Sequence, residues 1–480
     1  MSTHHFSDTS QGPKSSGANA CDPATVPPLT GLPQCVADVL RDPSAGLELQ
    51  VSGWVRTYRT SKNVAFLALG DGSTLQTLQV VIGPEVAGWE TLAATCTTGA
   101  SVTVHGVLQA SPGKGQQVEL LAQQVHVLGT ADATTYPLQK KGHTLEFLRS
   151  ITHLRSRSNT FGAVFRIRST LAQATHTFFA AHNFACVHTP VITASDSEGA
   201  GEMFEIVQRD KKEPFFGKPA MLTVSGQLNG EALAYGLGRI YTFGPTFRAE
   251  NSNTVRHLAE FWMLEPEMAF FDLKADMRLA EAYLKFVVGA TMAAHGADLA
   301  FLAKHYDSEL PQTLAAIVET PFAHVTYTQA VGLLEQSGHA FEQPVGWGRD
   351  LQSEHERWLT EQYFKKPVIV TDYPTGLKAF YMYQNDDGRT VAAMDVLVPR
   401  IGEIIGGSQR EHRRDRLQQR MTDAGLDLDA YAWYLDLHRF GAVPHAGFGL
   451  GFERLVMLCT GMTNIRDTIA FPRAPGLVPC

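Results

Sequence analysis

Four side chains between Tyr241 and Glu267 have the types and spacing that nucleotide chemistry needs. Arg248 and Glu250 stand two apart, so an extended strand sets both on one face. His257 and Phe261 stand four apart on an expected second strand, across a polar loop from Ala249 to Thr254. A guanidinium fork suits a phosphate, and an aromatic face suits a nucleotide base. A surface hairpin with salt bridges would use the same residue types, so this stretch gains its meaning beside two others.

The first is Gly447–Leu455, GFGLGFERL, a glycine-rich strand end running into a helix with Arg454 in its first turn. Close backbone approach at a helix N-terminus favours phosphate. The spacing is not GxGxxG, and no GxxxxGK[ST] occurs, which weakens Rossmann and P-loop readings. The second is Met394–Glu411, MDVLVPRIGEIIGGSQRE. Asp395 and Glu403 bracket an expected turn and offer oxygens to Mg2+. Arg410 follows a Gly-Gly-Ser kink that can aim it into a pocket.

The elements that position these groups follow from periodicity. From Leu47 the chain alternates apolar and polar residues; Val64–Leu69, Leu75–Ile82, Val102–Leu108 and Val118–Leu128 complete five expected strands. Five short strands in this span predict a small barrel of the OB-fold type. Arg56, Arg59 and Lys62 lie in and after its first strand and Phe66 on its second, which is phosphate and base-stacking chemistry. Core packing for Phe66 and solvated charges are the competing reading. Further on, Val164, Ile167, Leu171, Ala174 and Phe178 mark one helical stripe, with Asn159 as its expected cap. A short strand ending at Pro190 follows, and strands and helices then alternate to the C-terminus.

The whole chain sets bounds. Its 480 residues predict two to four domains at ~150 residues each. No apolar run is long enough to cross a membrane. Six scattered cysteines without a CxxC pair argue against a disulfide scaffold or a cysteine-rich zinc module. A net charge of −8 neither requires nor forbids nucleic acid, because a local basic patch acts over ~8 Å at physiological salt. The Ser-, Pro- and Gly-rich first thirty-odd residues read as a disordered tail with no secretory or mitochondrial signature.

Together, Arg248-x-Glu250, the loop, His257-x-x-x-Phe261 and Gly-x-Gly-x-Glu-Arg454 resemble motifs 2 and 3 of class II aminoacyl-tRNA synthetases. The helical stripe, strand and Pro190 resemble motif 1, which builds the dimer interface in that class. The class I signatures HIGH and KMSKS are absent. A five-stranded barrel ahead of such a core resembles subclass IIb. SDSEGAGEMF (195–204), LTVSGQLNGE (222–231), FGPTFRAENSNT (243–254), SEHERWL (353–359) and GEIIGGSQRE (402–411) narrow the likeness to bacterial asparaginyl-tRNA synthetases, over about residues 35–480.

The resemblance implies an α+β protein. It divides into a tail over 1–34, a five-stranded OB-fold anticodon-binding barrel over 35–130, a linker over 131–158, and a class II catalytic domain over 159–480 with an antiparallel sheet flanked by helices. It implies a cytoplasmic homodimer, free of the membrane, that joins L-asparagine to tRNA(Asn) with ATP and Mg2+ through an asparaginyl-adenylate. By motif, Arg248 contacts the α-phosphate, Arg454 the γ-phosphate, His257 the outer phosphates, and Phe261 the adenine. Glu250 lies near the adenine and the tRNA end. Asp395 and Glu403 match metal-site acids, although the family's metal-binding Ser position is Gly406 here.

In the aspartyl enzymes a Lys pairs with the substrate carboxylate at the position of Gly230, and Glu231 follows it here. Arg410 as donor and Glu231 as acceptor fit an amide. Ser225, Gln227 and Glu198 match contacts to the amino acid's backbone end, and Phe66, Gln79 and Glu119 match anticodon contacts. An aspartyl-type or non-discriminating synthetase, and a non-catalytic synthetase-like RNA-binding protein, remain as alternatives.

Overall fold

In the computed structural model, which describes residues 32–480 except 114, 141, 196–201, 212 and 253, strict alternation builds the first domain. Strands β1 (Glu48–Ser61), β2 (Val64–Gly70), β3 (Leu78–Ile82), β4 (Ser101–Ala110) and β5 (Val118–Gly129) close into a barrel in the order β1-β2-β3-β5-β4. Ala65, Leu67, Leu69, Leu78, Val80, Ile82, Val102 and Val104 fill its interior, and the residues between them face outward. The barrel closes through a parallel contact of β3 with β5, Val80 opposite Leu120. The third strand starts at Leu78 rather than the expected Leu75. Upstream, Asp71 captures the Ser73 N–H and hydroxyl at 2.9 and 2.5 Å and holds a turn.

Phe66 alternates with buried Ala65 and Leu67, so it lies on the barrel's outer face and not in its core. Gln79 shares that face, opposite Ala68. Glu119 does not project freely. It is buried and accepts from Gln109 Nε2 (3.1 Å), Ser111 Oγ (3.0 Å) and Gln116 Nε2 (3.2 Å). Arg56 donates to the Arg157 carbonyl and to Asn159 Oδ1, tethering barrel to core. Arg166 donates to the Gly72 carbonyl (2.8 Å) from the other side. Between these tethers opens a cleft of about 2180 Å³ lined by Arg59, Gln79, Lys140, Arg157 and Arg166.

The second domain is built on an eight-stranded sheet. Its strands are β6 (Ala185–Cys186), β7 (Arg239–Phe247), β8 (Glu260–Ala269), β9 (Ala323–Thr326), β10 (Val368–Pro374), β11 (Thr390–Val398), β12 (Gly402–Gln409) and β13 (His445–Gly451). They lie in the order β9-β10-β11-β12-β13-β8-β7-β6. The six central strands are antiparallel, as the resemblance implies; the edge strands β6 and β9 pair in parallel.

The helices Asn159–Ala181 and Leu273–Ala294 cover one face of this sheet. Val164, Ile167, Leu171, Ala174 and Phe178 pack there with Leu264, Met268, Ile405, Phe448 and Leu450. The stripe expected to face a second subunit is thus spent inside its own chain. The cap of the first helix is Ser158, whose extended backbone lets Oγ accept from Phe161 N at 3.2 Å; Asn159 is already the first helical residue.

Gly106 tests the barrel. A Cβ there would meet the Leu121 carbonyl oxygen at 2.2 Å, a backbone atom that cannot swing away. Gly106→Ala is expected to destabilise the barrel by about 1–3 kcal/mol in denaturant unfolding.

Candidate active site

Strand alternation divides the work of the sheet. On β8, Leu264 and Met268 enter the helix-covered core, while Phe261, Met263, Glu265 and Glu267 share the other face. On β13, Gly447 and Gly451 sit opposite Glu267 and Met263. A Cβ at Gly447 would meet the Glu267 carboxyl at 2.4 Å, and one at Gly449 would meet Met263 Cε at 2.8 Å. The glycine run therefore clears floor space beside β8.

One pocket of about 170 Å³ on this face is lined by Arg248, Glu250, His257, Phe261, Glu403 and Arg454. These residues come from β8, β12, the β7–β8 loop and the helix Phe452–Thr460. The Arg248 guanidinium lies 5.5 Å from the Phe261 ring centre. Arg454 reaches back to β12, donating to the Glu403 carbonyl at 2.8 Å, with the Glu403 carboxylate 3.6 Å away. The helix bearing Arg454 is pinned by its neighbour. Buried Glu453 accepts from Trp262 N (3.0 Å) and pairs with Arg168 (2.8 Å). His257 Nδ1 meets Ser252 Oγ and Thr254 Oγ1 at 3.1 and 2.5 Å. Burial, then the charges of Arg454, Arg248 and Arg256, hold its pKa below the ordinary 6.5. A neutral imidazole at pH 7 follows.

Further along the same strands lies a buried charged cluster. Arg410 clamps Glu267 through Nε (3.1 Å) and Nη2 (2.5 Å) and donates to Ser408 Oγ (3.0 Å). Glu231, on the helix Gln227–Leu237, lies 4.0 Å from Arg410 Nε and accepts from Tyr434 (2.6 Å), His445 Nε2 (2.9 Å) and Gln227 Nε2 (3.0 Å). The expectation that Arg410 faces Glu231 is thus refined: its fork is taken by Glu267. Ser225 donates to Glu265, which also accepts from Gly226 N (3.0 Å) and Thr242 (3.1 Å). Ser225 and Gln227 are therefore both engaged within the chain, holding the helix start and Glu231. Glu198 lies outside the described residues.

A third group gathers at β11 and β12. Both Asp395 oxygens accept from Lys378 Nζ, at 2.8 and 2.7 Å. Glu356 accepts from Glu403 N at 3.2 Å. Burial, then the neighbouring Glu403 carboxylate, push its pKa up to about 7.

Sequence reasoning missed Glu267, Glu265, Lys378, Glu356, His445 and Asp276. Only Glu265-Pro-Glu267 carried a signal, two acids two apart inside an apolar strand. The others act from distant segments whose approach no spacing encodes.

Comparison with known proteins follows the same division. A family model described as tRNA synthetases class II (D, K and N) matches residues 145–475, and one for an OB-fold nucleic acid binding domain matches 49–128. The chain is 56% identical over 456 residues to an asparagine–tRNA ligase of Thermosynechococcus vestitus, covering 92% of this chain and 99% of the relative. It is 59% identical over 444 residues to that of Solibacter usitatus, covering 90% and 96%. The structure of asparaginyl-tRNA synthetase from Pyrococcus horikoshii complexed with asparaginyl-adenylate superposes with a TM-score of 0.84 at 33% identity, over 94% of this chain and 100% of that one. The chain belongs to the class II tRNA synthetases and, within them, to the asparagine–tRNA ligases.

Asp276 is buried beside the cluster, and neither of its oxygens has a hydrogen-bond partner among the described residues. Burial pushes its pKa from 3.8 up to about 8. Between those values the folded chain holds a proton that the unfolded chain has lost, so stability falls as pH rises. Asp276→Asn removes that slope. Calorimetry should show the Tm difference moving in the variant's favour between about pH 5 and about pH 8.

Proposed function

We propose that the chain joins L-asparagine to tRNA(Asn) in two steps on the open face of the sheet. The observation that carries this reading is the meeting of Arg248, Phe261, His257 and Arg454 in one pocket, on strands that continue to the buried Arg410 cluster. In the first step an asparagine carboxylate oxygen attacks the α-phosphorus of ATP. That P–O bond forms, the bond to the β-phosphate bridging oxygen breaks, and pyrophosphate leaves. The nucleophile is already ionised, so no general base is needed. The charge developing on phosphorus and on the leaving group is what needs help. Arg248 and Arg454 supply fixed positive charge there, in a site whose strands are held before substrate arrives.

Adenine stacks on Phe261, which sets the α-phosphate beside Arg248. Neutral His257 donates a hydrogen bond to the outer phosphates, and Glu250 lies at the exposed rim where the tRNA end enters. In the second step a ribose hydroxyl of the terminal adenosine attacks the activated carbonyl and AMP leaves. Holding the two reactants together contributes up to ~7–11 kcal/mol in favourable cases.

Glu403 and Glu356 offer the hard oxygen donors that Mg2+ prefers, and a dication there would favour the ionised form of Glu356, whose pKa burial and then the Glu403 carboxylate push up to about 7. When bound, Mg2+ would neutralise the outer phosphates. Asp395 enters that shell only by releasing Lys378.

Arg410 and Glu231 recognise the side-chain amide, one donating to its oxygen and one accepting from its NH2. Aspartate would set a second anionic oxygen toward Glu231, whose pKa is held at about 2 by His445, Arg410 and Tyr434 against the cost of burial. Ser225 and Gln227 act through Glu231's orientation. Phe66 and Gln79 read anticodon bases from the barrel's outer face. We also propose a homodimer in the cytoplasm. Its interface would lie over Val191, Ile192, Leu237 and Phe270, large apolar side chains left exposed by this chain.

Glu231→Gln keeps the size and removes the charge. Pyrophosphate exchange should show an asparagine KM raised at least ~10-fold, weaker discrimination against aspartate and an unchanged KM for ATP. An unchanged Asn/Asp preference would move the determinant elsewhere. A chain truncated to begin near Thr135 should still exchange pyrophosphate and charge tRNA(Asn) poorly, because barrel and catalytic core have separate hydrophobic interiors. Sedimentation should give twice the chain mass, and Phe270→Asp with Leu237→Asp should shift it toward monomer.

A further inference from the structure

Glu231, His438 and His445 are all buried, and one ligand atom from each lies within 4.8 Å of the others. Both histidines have a settled tautomer. His438 Nδ1 lies 3.0 Å from the Tyr434 carbonyl and His445 Nδ1 lies 3.0 Å from the Val443 carbonyl. A carbonyl only accepts, so each ring carries its proton on Nδ1. That leaves Nε2 of each as the ligating nitrogen, oriented by a backbone carbonyl behind it, as metal-bound histidines commonly are. His438 Nε2 is buried with no hydrogen-bond partner among the described residues. His445 Nε2 faces Glu231 Oε2 at 2.9 Å.

We propose that Glu231, His438 and His445 form a site for one zinc-class divalent cation, bound through two Nε2 atoms and a carboxylate oxygen. Two imidazoles and a carboxylate select a borderline-soft metal over Mg2+ or Ca2+. Bonds of ~2.0–2.2 Å to a tetrahedral ion require about 3.3 Å between ligand atoms, so the three side chains close in on the ion as it binds. A metal and a proton compete for the same imidazole nitrogens, which makes binding weaker at low pH. Because the proposed amide contact also uses Glu231, the cation and asparagine compete; this consequence rests on the function proposed above, and the metal site does not.

The test uses the full-length protein in zinc-free Mg2+ buffer. Zn2+ is added and the bound metal is measured after gel filtration. One equivalent is expected in the wild type and none in His438→Asn or His438→Gln, with pyrophosphate exchange retained by the variants. Equal zinc in wild type and both variants overturns the site, as does no stoichiometric zinc in the wild type. Should both variants unfold, the wild-type protein loaded with Co2+ decides: the strong visible absorption of a four-coordinate site supports the proposal, and its absence overturns it. Asparagine is then titrated against bound Zn2+. Release of the metal supports competition at Glu231. Retention with the asparagine KM unchanged leaves the metal site standing and removes Glu231 from amide recognition.

Discussion

Arg410 in its clamp on Glu267 is the contact on which the rest of the site depends. Both groups are buried, and each is tolerable there only because of the other. Removing one partner of such a pair typically costs ~3–5 kcal/mol, since an uncompensated charge remains inside. Keeping the pair in register needs β12 and β8 on either side of β13, and it needs glycine at position 447, where a Cβ would collide with the Glu267 carboxyl. The glycine run, the antiparallel pairing and the buried ion pair are thus one device. It also explains why Glu231 stays ionised: Arg410 and His445 together outweigh the desolvation of its carboxylate.

The sheet separates stability from chemistry by the period of two. One face is apolar and covered by two long helices, which pack on Leu264, Met268, Phe448 and Leu450. The other carries the arginines, acids and aromatic ring. A chemical change on the open face leaves the packing beneath it intact. Tethers run at right angles to this division. Arg168 joins the first helix to Glu453, and Glu453 holds the Trp262 backbone, so the helix bearing Arg454 and the strand bearing Phe261 move as one body. The barrel is linked through Arg56 and Arg166 across a basic cleft.

Much of this was legible in the amino-acid order because it rests on local periodicity and local chemistry. Alternation predicted the five barrel strands but left Phe66 open between core and surface. The apolar stripe from Val164 to Phe178 determined a helix. The residue types around Arg248, Phe261 and Arg454 signalled nucleotide chemistry, but their meeting in one pocket rests on the long-range pairing of β13 with β8. What only the tertiary structure decided are the long-range partners. Arg410 and Glu267 are 143 residues apart, Glu231 and His445 214, and Arg149 and Asp467 318. Whether a charged side chain is free for substrate or already paired depends on such approaches. Arg56, Glu119 and Asp395 carry the right chemistry for their expected tasks and are claimed by Asn159, Gln109 and Lys378. The same holds for the helical stripe, whose spacing determined that it must be buried but not against what. Periodicity is a property of the chain alone, whereas pairing and burial are properties of the folded solid.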